Sequence, residues 1–239
     1  MRRLLIILIV LGLAGQGIVY AQVPASPTAG VDNFSGIYEG ARTITQPDAY
    51  PFTASGERAH SGYDPLVADP RQLDDCAAES MPSILWAGTL NTLEMSHGDR
   101  EIVIRYEHGG AVRTIHMDTA PPAADHTHSE LGFSRGTWEG VVLTVVTTHL
   151  LDGVLFTQRG YPVSSESRLT ERYWRKEGKN IQMELLIDDP INYTEVVKLE
   201  REWLWAPMEQ VLPWNCVSLG PRDAEPDIDA LRRLLNQER

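Results

Sequence analysis

The plainest pattern in the chain is alternation. From Glu195 to Trp205, Val197, Leu199, Arg201, Trp203 and Trp205 fall on one face, with Val196, Lys198, Glu200, Glu202 and Leu204 on the other. Successive strand side chains point to opposite sides, so this run predicts a strand whose first face is buried. Arg201 then stands among apolar neighbours and needs a partner. Leu169 to Arg175 alternates in the same way: Leu169, Glu171 and Tyr173 share a face, opposite Arg168, Thr170, Arg172 and Trp174. Between and before these lie Gly136–Gly140, Val141–His149 and Ile181–Ile187, rich in β-branched and aromatic residues and separated by Gly, Asn, Asp and Pro. That composition predicts antiparallel hairpins.

Asn91–Ser96, Arg100–Glu107 and Ala111–Asp118 extend the series. Ile102, Ile104 and Tyr106 alternate with Val103, Arg105 and Glu107, and Gly109-Gly110 supplies the positive φ angles of a tight turn. Phe34 to Gly40 and Gly136 to Gly140 both read Gly-x-aromatic-Glu-Gly, one hundred residues apart. Two strands that begin alike explain the likeness more simply than a duplication. From Gln46 to Pro82 five prolines break any long element, and a segment of that length drapes over a core or serves function. One or two helical turns are expected around Cys76, between Leu73 and Ser80. Near the end, Ile228, Leu231, Leu234 and Leu235 recur at helical spacing behind Asp227 as cap, predicting a short helix over 227–237. The fold expected is mainly β. It is a single antiparallel β-barrel or strongly curved meander sheet, with a long Pro-rich N-terminal segment and a short C-terminal helix.

Composition adds a compartment. Arg2 and Arg3, the apolar run Leu4–Ala14 and Val19-Tyr20-Ala21 have the form of a secretory signal peptide over residues 1–21, too short in its apolar run to span a bilayer. Residues 22–33 then read as a flexible leader and 34–239 as one β domain, periplasmic or secreted. The formal charge of −12 becomes two units more negative once Arg2 and Arg3 are removed, which argues against nucleic acid as partner and against stable membrane insertion after cleavage. In an oxidising compartment the two cysteines, Cys76 and Cys216, pair most simply with each other. Such a bridge carries an ideal entropic stabilisation of roughly 5 kcal/mol. Two buried free thiols are the alternative.

Candidate chemistry is sparse. If the strands pair antiparallel, Glu171 and Arg201 meet inside, or Arg172 lies across Trp138 or Trp174. These two, Glu171 and Arg201, are the candidates for acid–base work; an ion pair with no catalytic role is the plainer alternative. Trp138, His149, Arg172, Tyr173, Trp203 and Trp205 are the candidates for holding a ligand. Asp125-His126-Thr127-His128 has a His-x-His spacing, and with His149 could offer imidazoles to zinc or copper. No third ligand is indicated by spacing, so no metal and no cofactor is expected. Asp188-Asp189-Pro190 reads as the end of a strand and a turn. No Gly-x-Ser-x-Gly surrounds a serine, so nucleophilic catalysis finds no support.

The string Ser134-Arg135-Gly136-Thr137-Trp138-Glu139-Gly140, followed by Leu169-Thr170-Glu171-Arg172 and by Ile187-Asp188-Asp189-Pro190 with Tyr193-Thr194, resembles a large family of exported bacterial proteins of uncharacterised function. Asp69-Pro70-Arg71, Cys76, Met81-Pro82, Val112–Asp118 and Cys216 resemble it too. The resemblance implies a secreted β protein and brings no activity. It departs at Phe133, Val146 and Val163–Ser165, where family members carry His or acidic residues. Gly136-Thr137-Trp138 with Arg172 or Arg201 is also similar to lipocalin-like barrels, in which a late Arg covers the indole of a Gly-x-Trp strand, and this implies a closed barrel. The function expected is binding of a small apolar or aromatic molecule in an aromatic-lined cavity. The rivals are an enzyme of the same shape and an envelope interaction protein with a filled core.

Overall fold

Alternation governs the architecture. In a computed structural model, which describes residues 33–65, 78–86, 92–216 and Arg233, nine strands close into a barrel. They are β1 (Gly36–Thr45), β2 (Thr92–His97), β3 (Glu101–Tyr106), β4 (Val112–Met117), β5 (Phe133–Glu139), β6 (Val142–Thr148), β9 (Arg168–Arg175), β10 (Ile181–Asp188) and β11 (Val197–Trp205). A two-stranded ribbon, β7 (Gly153–Leu155) and β8 (Tyr161–Val163), leaves the wall between β6 and β9. Around the barrel the order is β1, β11, β10, β9, β6, β5, β4, β3, β2, and β2 pairs back with β1. The inward residues Val197, Leu199, Arg201 and Trp203 of β11 are buried while Lys198 and Leu204 are exposed; Leu169, Glu171 and Tyr173 of β9 are buried and Arg172 is exposed.

One seam departs from the expected antiparallel meander. A ring with an odd number of strands cannot alternate up and down throughout, so one neighbouring pair must run the same way. That pair is β4 and β5, parallel, with Ile115 opposite Ser134 and Met117 opposite Gly136. A parallel neighbour needs a connection long enough to carry the chain back along the barrel, and the Pro-Ala-His loop after β4 provides it. Gly136 suits the seam, because a Cβ there would lie 2.6 Å from the Met117 sulfur. Gly36 plays a like part in β1, where a Cβ would run into the Trp205 ring. The likeness between the two Gly-x-aromatic stretches ends there: Gly40 packs against Arg201, while Gly140 is a turn residue at φ 64° with open space around it.

The segment expected to be irregular contains a helix, α1 (Ala54–Ser61). Thr53 caps it, its hydroxyl accepting from the Gly56 amide at 3.0 Å. The helix is short and polar, so hydrophobic period could not reveal it; Thr53 ahead of Glu57 was the available signal. The segment does drape over the β7–β8 ribbon. Tyr50 stacks on Tyr161 at 3.9 Å between centroids, Phe52 on Tyr193 at 5.5 Å, and the Tyr63 hydroxyl donates to the Thr157 carbonyl at 2.7 Å. The expected signal peptide, the expected leader (apart from Asn33), the turns expected around Cys76 (apart from residues 78–80, which are not helical) and the expected C-terminal helix (apart from Arg233) lie outside the described residues. No described cysteine is free.

Candidate functional site

Two arginines point into the barrel, and they are treated very differently. Arg113 is inward on β4 with Ile115 and Met117, is 2% exposed, and has all of its donor nitrogens engaged. Its Nε donates to Ser134 Oγ at 2.9 Å, its Nη1 to Glu171 Oε2 at 2.8 Å, and its Nη2 to Glu171 Oε1 at 2.6 Å and Thr147 Oγ1 at 2.8 Å. Tyr173 donates its hydroxyl to Glu171 Oε2 as well. Burial alone would lower the Arg113 guanidinium; the Glu171 carboxylate beside it reverses that and holds it above its ordinary value. Tyr173 is pushed well above its ordinary value, first by burial and then by the charge on Glu171. The carboxylate expected to meet Arg201 thus meets Arg113 instead. With both oxygens held and no exposure, Glu171 has no free face for a substrate proton.

Arg201 has the opposite situation. It is 1% exposed, its Nη1 donates to the Leu85 carbonyl, and its guanidinium lies 4.4 Å from the centre of the Trp203 ring. Among the described residues its Nε and Nη2 have no acceptor, nor do the indole N–H groups of Trp203 and Trp86, the latter next in chain to Leu85. All four are donors. Burial pushes the Arg201 guanidinium down to about 10, which leaves it charged at neutral pH, and no carboxylate acts on it. Leu85 belongs to a 3-10 turn, Ser83–Leu85, whose residues are all buried.

The wall beside Arg201 is irregular. Gly40 pairs with Trp203 and Ile44 with Arg201, so three residues of β1 stand against Glu202 alone on β11, a bulge with two extra residues. On the outer side of the wall a cleft of about 310 Å³ lies there, lined by Ala41, Thr45, Trp174, Lys176, Gln182, Glu200 and Glu202, with Arg201 at its floor. Gly40 lets the guanidinium lie against the β1 backbone, because a Cβ at that position would stand 1.6 Å from Nη2. Gly40→Ala is therefore expected to cost about 1–3 kcal/mol through forced displacement of a buried side chain. Urea unfolding reads this directly, and a loss under a few tenths would mean the guanidinium has room to move.

The remaining ligand candidates scatter. Trp203 and Tyr173 are buried inside; Trp138 packs near Phe34 and His97, at 5.3 and 6.2 Å between centroids. Trp205 is partly buried beside Tyr38 and under the Lys179 ammonium. Arg172 is on the outer face, 3.6 Å from Glu184, and among the described residues it does not lie across Trp138 or Trp174. His149, at φ 58°, gathers His126 and His128 at 5.4 and 5.2 Å between centroids. Its Nδ1 is 2.9 Å from the Thr148 hydroxyl, and that of His128 is 2.6 Å from the Leu150 carbonyl. Among the described residues no group of three or more His, Cys, Asp or Glu is placed to hold a metal ion. Sequence reasoning missed Arg113, Ser134, Thr147 and the 3-10 turn. For Arg113 the signal was present: the alternation that placed Arg201 inside places Arg113 with Ile115 and Met117.

No family model and no curated protein matches the chain. Among solved structures, a point mutant of the fluorescent protein UnaG is similar over 72% of this chain and 96% of its own, at 14% identity and a TM-score of 0.34. At that distance the likeness carries no function across.

Proposed function

We propose that this is an exported barrel that binds a small molecule on the inner side of its wall, at Arg201. One observation carries the reading. Two nitrogens of the buried Arg201 cation, Nε and Nη2, and the indole N–H groups of Trp203 and Trp86 have no acceptor among the described residues. Burying a charge without compensation is costly, and native interiors rarely tolerate it without a functional reason. The Arg113–Glu171 network shows by contrast what a completed buried pair in this barrel looks like. Export, cleavage after Ala21 and a Cys76–Cys216 bridge complete the reading. They are supported by the form of the N-terminus and by the absence of a free cysteine among the described residues.

Native mass spectrometry on gently purified protein is the direct test. The expected result is an extra mass of a few hundred daltons or less, lost on denaturation. Refilling the stripped protein should then change tryptophan fluorescence, because Trp203 stacks on Arg201. Protein that carries no such mass and whose fluorescence answers to none of benzoate, benzamide, octanoate or octanamide would overturn the reading.

A further inference from the structure

The outer side of the barrel carries its own set of groups without partners. On β9, β10 and β11 the residues that alternate with the buried Tyr173, Met183 and Arg201 face outward, and they form rows across the sheet. Trp174 stands beside Gln182 and Gln182 beside Glu202; Arg172, Glu184, Glu200 and Thr45 make up the next row. Ala41 and Thr45 of the bulged strand form one rim of the cleft of about 310 Å³, a volume at the lower end of small-molecule sites. Among the described residues, the Trp174 indole N–H, the Gln182 side-chain amide and the Thr45 hydroxyl have no hydrogen-bond partner. Glu200 keeps Oε2 open while its Oε1 takes Lys198 at 2.8 Å. We propose that this outer cleft is a second binding site, for a neutral sugar residue whose C–H face stacks on Trp174 and whose hydroxyls are shared among Gln182, Thr45 and Glu200. It does not depend on the site at Arg201.

Charge argues against an ion. The outward carboxylates Glu184, Glu200 and Glu202 are matched by as many cations. Arg172 lies 3.6 Å and Lys198 2.7 Å from Glu184, Lys198 also 2.8 Å from Glu200, and Lys176 3.2 Å from Glu202. No net charge is left to attract an ion, and a charged ligand would have to displace one member of a formed pair. A wholly apolar ligand fits no better. It would cover the indole but strip water from an amide, a hydroxyl and a carboxylate oxygen with nothing in exchange. A sugar meets both demands. The axial C–H bonds of a pyranose make one face apolar, and their positive edge suits the negative face of an indole. Each sugar hydroxyl both donates and accepts, so it can take a hydrogen bond from the Gln182 amide and give one to Glu200 Oε2. Trp174 is half-buried, so the sheet braces the ring while part of it stays accessible.

Calorimetry on the full-length protein tests this with a panel of neutral trisaccharides, built from α-linked glucose, β-linked glucose, xylose, mannose and N-acetylglucosamine, each taken to millimolar concentration. The trimers of galacturonate and of glucosamine are the anionic and cationic probes. At least one neutral trisaccharide should bind 1:1, and more tightly than both charged ones. Trp174→Ala should weaken it about tenfold or more through loss of the stacking surface, and Trp174→Phe, which keeps a smaller ring, should retain part of the affinity. Gln182→Ala should weaken it about fivefold, the value of one hydrogen bond. Both side chains face outward, so an unchanged urea midpoint separates lost binding from lost fold. If Trp174→Ala does not fold, Gln182→Ala and the ranking of neutral over charged probes still decide. No heat from any neutral trisaccharide overturns the proposal. So does binding that Trp174→Ala leaves intact, or a charged trimer that binds more tightly than every neutral one.

Discussion

Replacing Arg113 with methionine is expected to lower the unfolding free energy by about 3–5 kcal/mol, the cost of breaking a buried pair from one side. The guanidinium makes two bonds to Glu171 and one each to Ser134 and Thr147, and every one of these partners is buried. Without it, Glu171 keeps the Tyr173 hydroxyl and the more distant Thr147 hydroxyl at 3.4 Å, inside a barrel where water does not reach it. The damage therefore comes from the stranded carboxylate more than from lost attraction. Removing both charges at once, as Arg113→Met with Glu171→Leu, is expected to recover most of the loss, because neither partner is then left unpaired. Urea unfolding of the two single variants and the double variant measures this. A single-site loss below about 1 kcal/mol, or a double variant no better than Arg113→Met, would show that the network is not a closed unit.

Asp189→Ala is the second large effect, expected at about 3 kcal/mol or more because four hydrogen bonds converge on a buried carboxylate. Asp189 is 1% exposed, and its carboxylate accepts from the Ser164 amide and hydroxyl at 2.8 and 2.7 Å and from the Asn192 side chain at 2.9 Å. It also accepts from the Ile191 amide at 3.2 Å. Ser164 follows β8 and Asn192 lies in the turn before β11, so one carboxylate ties the ribbon to the barrel. Its own carbonyl receives the Tyr193 amide at 2.8 Å, and Tyr193 in turn meets Phe52. Loss of the side chain should therefore loosen the packing of Tyr50, Phe52 and α1 as well as lower global stability. Limited proteolysis should show earlier cutting within residues 46–65 in the variant. Unchanged cutting with an unchanged urea midpoint would mean that Asn192 and Ser164 find other partners.

Both effects come from polar groups whose partners are distant in sequence, and that separates what could be read early from what could not. Strand alternation is a local property with a period of two residues, so the inward placement of Glu171, Tyr173, Arg201 and Trp203 was legible in the order of residues alone. So were the Gly109-Gly110 turn, with both residues at positive φ, and the draping of the Pro-rich segment. The mainly β fold followed from the number and patterning of the strands, which left a barrel and a strongly curved sheet both open.

Which strands stand next to each other is not local. Glu171 was placed opposite Arg201 because β9 and β11 are close in sequence, whereas β10 lies between them and Arg113 reaches Glu171 from β4 across the interior. The parallel seam, the β1 bulge beside Arg201 and the carbonyl of Leu85 that takes Nη1 likewise arise only when the ring closes. Residue order alone determined that a charged side chain would be turned inward on β11. Only the tertiary structure decided that the inward carboxylate of β9 goes to a different arginine, because pairing across a closed sheet depends on ring order and register rather than on distance along the chain.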